Sequence, residues 1–95
     1  MDAAIRLLED YIFEEETRQK MDWPLYFVKE DAYNLWSAKT LLSWFKQNPK
    51  ENALEISEGF YYKMIDLSKK TDNRELNFLF DVAADFAEST INMLL

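Results

Sequence analysis

Residues 72–94 read DNRELNFLFDVAADFAESTINML. Within this stretch Leu76, Leu79, Val82, Ala83, Phe86, Ala87 and Ile91 recur at three- and four-residue spacing. That spacing gathers them on one side of an α-helix, whereas a strand would split them between two faces. The opening Asp72-Asn73-Arg74-Glu75 is a helix-start signature, a polar cap followed three residues later by a carboxylate that can reach back to it. A helix is therefore expected from Asn73 to Leu94. About 20 residues extend ~30 Å. A rod of that length with one apolar stripe needs partners of similar length to cover it.

The chain upstream supplies them. Asn48-Pro49-Lys50-Glu51 has the same layout, with Pro in the first turn, where its missing N–H is no loss. It predicts a helix over 49–70 whose stripe is Ala53, Ile56, Phe60, Met64 and Leu67, with Ile65 beside them. Leu35, Ala38, Leu41, Leu42 and Phe45 mark another helix ending near Gln47. Its start falls either near Pro24 or at about Lys29. The first helix, capped by Asp2 and carrying Ala4, Ile5, Leu8, Tyr11 and Ile12, runs to about Met21. Asp22-Trp23-Pro24 ends it, because proline fixes φ and drives the preceding residue out of the helical region. The last two links are read as one to three residues long, which forces antiparallel neighbours.

The expected fold is all-α: a small antiparallel four-helix bundle, up-and-down, with an aromatic loop after the first helix. Residues 1–95 form a single helical domain. The loop Trp23-Pro24-Leu25-Tyr26-Phe27-Val28 is read as a lid over the bundle end. Gly59, inside the third helix, costs ~1 kcal/mol relative to Ala. The expected offset is close approach of another helix, or room for a neighbouring ring.

The chain contains no His, no Cys and one Gly. That removes the side chain that titrates near neutral pH, the thiol nucleophile, the soft metal ligands and every glycine-rich phosphate loop. Glu14-Glu15-Glu16 points in several directions around a helix and is read as a solvated patch. No calcium-loop pattern occurs. No catalysis, cofactor or metal is expected. The first residues carry no signal-peptide pattern, since Asp2, Glu9 and Asp10 interrupt any apolar run. No stretch has the ~20 apolar residues of a membrane span. A cytoplasmic location is expected.

Net charge is −7, from 18 acidic and 11 basic residues. Phosphate backbones and anionic bilayers are repelled by such a chain, so neither direct nucleic-acid nor membrane binding is expected. A protein partner with a basic surface is attracted. Fifteen aromatic residues (seven Phe, five Tyr, three Trp) are unusual in so small a chain. Four lie off their helix's stripe at about 100° per residue. Phe13 falls with Glu9, Glu16 and Lys20; Trp36 lies opposite Leu41 and Phe45; Tyr62 falls with Glu55, Glu58 and Asp66; Phe78 falls with Asp81 and Asp85. Aromatics ringed by charge resemble interface centres; a wide apolar face, or a helix packed on both sides, would instead bury them in the core. In the last helix Asp81, Asp85 and Glu88 share one face. That face is either the ordinary wet side of the helix or a receptor for Lys and Arg.

The candidate interface is therefore Phe13, Trp36, Tyr62, Phe78, Asp81, Asp85 and Glu88. The expected function is a small acidic interaction module that binds and masks or regulates a basic protein, as an inhibitor, immunity protein or antitoxin does. The alternatives are a self-associating bundle, with the extra aromatics at a homodimer seam, and a bundle with an aromatic-lined pocket for a small molecule.

Overall fold

One Gly and two Pro in 95 residues leave little to interrupt helix propagation. A computed structural model describes residues 2–22 and 29–95. Its helices are α1 (Asp2–Asp22), α2 (Lys29–Gln47), α3 (Ala53–Lys70) and α4 (Arg74–Leu94). The chain is an all-α, compact four-helix protein. Helix α1 packs on α2, α2 on α3 and α3 on α4, and α4 also lies against α2. The aromatic segment 23–28 lies outside the described residues, as does a start of the second helix near Pro24.

Local chemistry sets the helix ends, not always where the sequence signature points. Helix α3 begins four residues later than Asn48-Pro49 predicts, so the link before it is longer than expected. Its cap is Asn52, whose side-chain oxygen accepts from the Leu54 N–H at 2.7 Å. Asn48 is already engaged at the end of α2, where its side-chain amide donates to the Trp44 carbonyl at 2.9 Å. The Glu51 N–H donates to the Asn48 carbonyl at 3.1 Å. That closes a turn with Pro49 at its second position, for which proline's fixed φ is suited. Helix α4 is capped by Asn73 rather than Asp72; the Asn73 side chain accepts from the Leu76 N–H at 3.1 Å.

The core joins all four helices. Ala4 and Leu8 come from α1, Leu41 and Phe45 from α2, Ile56, Phe60 and Met64 from α3, and Ala83, Ala84 and Ala87 from α4. The α4 contribution is three alanines, and helices separated by small side chains approach closely. That is why α4 packs against both α3 and α2. Trp44 meets Phe60 edge-on with ring centroids 5.2 Å apart. Ser37, Ser57 and Thr90 are buried, and each hydroxyl donates to the carbonyl four residues earlier at 2.7–3.0 Å. Among the described residues no buried side-chain nitrogen or oxygen lacks a partner. Burial of these groups therefore carries no unpaired-polar penalty.

Ion pairs tie α1 to α2: Lys46 to Glu9 at 3.8 Å, Lys39 to Glu16 at 3.2 Å and Arg18 to Asp31 at 3.0 Å. Helices α2 and α4 meet where the Lys29 ammonium donates to both Glu75 oxygens at 2.8 Å and the Tyr33 hydroxyl donates to Glu75 at 2.9 Å. The Lys29 and Tyr33 hydrogen bonds hold the Glu75 carboxyl below its ordinary pKa. A carboxyl depressed on folding stabilises the fold in full above its unfolded pKa, about 4.3. The contribution is lost as pH falls through the lower, folded value. Thermal melts between pH 6 and pH 2.5 are thus expected to show a falling midpoint below about pH 4.5. Glu75→Gln flattens part of that fall. An equal pH slope in the variant would refute the assignment.

Gly59 has no close neighbour. It is exposed, and a Cβ there would meet nothing within 4 Å. Neither close helix approach nor a neighbouring ring accounts for it. Gly59→Ala is expected to raise stability by about 0.5–1 kcal/mol through helix propensity. The thermal midpoint rises by roughly 2–8 °C, and an unchanged or lower midpoint would contradict this.

Candidate functional site

All four off-stripe rings reach the surface: Phe13 is 73% exposed, Tyr62 67%, Phe78 41% and Trp36 37%. They belong to four different helices and do not form one cluster. Phe13 borders a groove of about 420 Å³ between α1 and α2, with Ile12, Leu42, Glu9 and Glu16. The two carboxylates there are neutralised by Lys46 and Lys39. Phe78 rests against Tyr33, with ring centroids 5.4 Å apart, and so belongs partly to the α2–α4 seam. Trp36 stands on α2 with about a third of its surface exposed. Tyr62 meets Tyr61 edge-on at 5.4 Å and borders a groove between α3 and α4.

The acidic face of α4 is divided. Asp81 accepts a 2.6 Å hydrogen bond from the Ser68 hydroxyl, and Asn77 donates to the Ser68 carbonyl at 2.8 Å. Asp81 is therefore part of the α3–α4 joint, a role its place on the stripe does not reveal. Asp85 and Glu88 are exposed and free of ion pairs among the described residues.

Each of these two carboxylates borders a groove. On the α3 side a depression of about 320 Å³ is lined by Glu58, Tyr61, Tyr62, Glu88 and Ile91. On the α1 side a larger open cleft of about 520 Å³ lies between α1 and α4. Its apolar wall comes from Leu7, Leu8, Tyr11, Phe86 and Met93, and its rim carries Asp10, Glu14 and Asp85. The cleft exists because of side-chain size. Tyr11 and Phe86 meet with centroids 5.3 Å apart and act as a spacer between the helices. Ser89 and Thr90 beside them are too small to fill the gap. The outer stripe of α4 thus runs between two apolar-floored grooves.

Five carboxylates line these grooves (Asp10, Glu14, Glu58, Asp85 and Glu88), and no Lys or Arg does. None of the five forms an ion pair among the described residues. The Tyr11 hydroxyl, on the cleft wall, is shifted by burial and by carboxylates other than these five. Burial pushes its pKa up, and the Glu15 and Asp31 carboxylates add to the rise against the opposing Arg18. The phenol is neutral at physiological pH. Among the described residues no three acidic side chains converge closely enough to hold a metal ion. No described helix is long and apolar enough to cross a membrane.

Of the residues singled out from sequence, Tyr62, Asp85 and Glu88 border this surface, whereas Phe13, Trp36 and Phe78 lie elsewhere. Sequence reasoning missed Leu7, Asp10, Glu14, Ser89 and Met93 as neighbours of one cleft. A signal was present. Leu7 and Tyr11 are four apart on one flank of α1, and Asp10 and Glu14 repeat that interval beside them. Only knowledge of the helix opposite turns this into a site. No family model, curated protein or solved structure matches the chain.

Proposed function

We propose that this protein is an acidic interaction module that binds and masks the basic surface of a protein partner, in the manner of an inhibitor, immunity protein or antitoxin. The observation that carries the reading is the set of five unpaired carboxylates around two apolar-floored grooves that share α4. A partner's Lys and Arg neutralise the rim, while its apolar side chains cover Tyr11, Met93 and Tyr62. Unpaired charge of one sign steers encounter and discriminates against acidic surfaces. Apolar floors supply the desolvated centre of such an interface. The module acts in the cytoplasm without a cofactor and catalyses nothing. Its four helices run up and down: the order of the α1–α2 ion pairs and the three-residue link between α3 and α4 support antiparallel neighbours.

Recovery of a partner from native extract, followed by titration at 50 and 500 mM salt, tests the function. The partner is expected to be basic, and its affinity to fall at least tenfold across that range. A neutral or acidic partner held equally well at both salt concentrations would overturn the reading.

A further inference from the structure

We infer that the α1–α4 cleft receives one amphipathic helix of the partner, with apolar residues at i, i+3 or i+4 and i+7 facing inward and Lys or Arg on both flanks. This rests on the reading of the surface as a site for a basic protein and adds the form of the docking element. Three observations carry it. The cleft lies between α1 and α4, with Asn34 of α2 also lining it, and a further helix can settle there ridge-into-groove. Among the described residues all regular structure is helical, so no sheet edge is available for an extended segment to join. Finally, the dimensions agree. The α1 wall runs from Leu7 to Glu14 and the α4 wall from Asp85 to Met93. At 1.5 Å per residue these walls are about 10 and 12 Å long, and an i to i+7 anchor set also spans about 10 Å.

Charge selects what sits beside the anchors. Asp10 and Glu14 stand on one bank and Asp85 on the other, all exposed and without ion pairs among the described residues. A docked helix therefore needs cations on both of its flanks. A second copy of this chain is a poor occupant, because the outer face of α4 would bring Asp85 and Glu88 against the same carboxylates. A helix of only two turns is marginal alone in water. The docking element is consequently part of a folded partner or of a longer segment.

Two synthetic peptides of about 18 residues test this. One carries Leu at i, i+3, i+4 and i+7 with Lys and Arg on the flanks; the other is its scramble, equal in composition and charge. Binding is read by fluorescence anisotropy against the wild type, Ser89→Trp, Met93→Ser and the triple variant Asp10→Asn/Glu14→Gln/Asp85→Asn. Ser89 and Met93 are exposed cleft residues. Ser89→Trp fills the cleft without changing charge, and circular dichroism checks that each variant folds. The patterned peptide is expected to bind at least tenfold tighter than the scramble. Ser89→Trp should remove at least tenfold of that affinity, and Met93→Ser should weaken it several-fold.

Equal affinity for the two peptides, with Ser89→Trp harmless and the triple variant inactive, overturns the helix-docking inference and leaves the basic-partner reading standing. Absence of patterned-peptide binding at 1 mM also overturns the inference, and the salt titration then judges the broader reading separately. Sedimentation of the protein alone covers the remaining occupant. A dimer abolished by Ser89→Trp would assign the cleft to a second copy and end the inference.

Discussion

Phe60→Ala is expected to remove a large share of the stability of this protein. Phe60 is fully buried, packs edge-on against Trp44 and stands in the cluster that joins all four helices. Truncating such a ring forfeits its transfer free energy and leaves a cavity, together about 3–5 kcal/mol. A small domain has only about 5–15 kcal/mol in total. The thermal midpoint should fall by more than about 12 °C. Urea unfolding followed by circular dichroism measures the loss. Tyr62→Ser, two positions along the same helix, is the internal control. It removes a ring that is 67% exposed, and its cost should stay within about 0.5 kcal/mol. Comparable losses at the two positions would mean that α3 is turned differently from the packing described.

Neutralising the grooves should have the opposite profile: a large loss of partner affinity with the fold intact. The variant combines Asp10→Asn, Glu14→Gln, Glu58→Gln, Asp85→Asn and Glu88→Gln. Each exposed carboxylate that meets a partner cation contributes up to about 1 kcal/mol. The five together should lower affinity for a basic partner by about two to three orders of magnitude, mostly through slower association. Stability should hold or rise slightly. Asp10 with Glu14 and Asp85 with Glu88 are like-charge helix neighbours, and such pairs destabilise by a few tenths of a kcal/mol. Surface plasmon resonance against the recovered partner reads the affinity, and thermal melts read the fold. Unchanged affinity in a folded variant would remove the grooves from the binding surface.

Much of the architecture was legible because it is local. The 3.6-residue spacing of Val82, Ala83, Phe86 and Ala87 needs no knowledge of the rest of the chain, and α4 spans Arg74–Leu94. The start of α3 was less legible. Asn48 and Asn52 are both capable caps; Asn52 takes the role, while the Asn48 amide N–H turns back to the Trp44 carbonyl at the end of α2. Helix phase placed Phe13, Trp36, Tyr62 and Phe78 off their stripes but left core burial open for each; their exposure and their scatter over four helices are products of the fold. Phase orders residues around one axis and carries nothing about what lies on the next.

The acidic stripe of α4 marks the same boundary. Sequence alone placed Asp81, Asp85 and Glu88 on one face, since helix geometry is a property of the chain itself. Tertiary structure alone decided that Asp81 bonds to Ser68, that Asp85 looks into a cleft beside Tyr11 and that Glu88 lies beside Tyr62. The difference is physical. Periodicity arises from bonds along the backbone, whereas a groove arises from the sizes of side chains on two helices that meet only after folding.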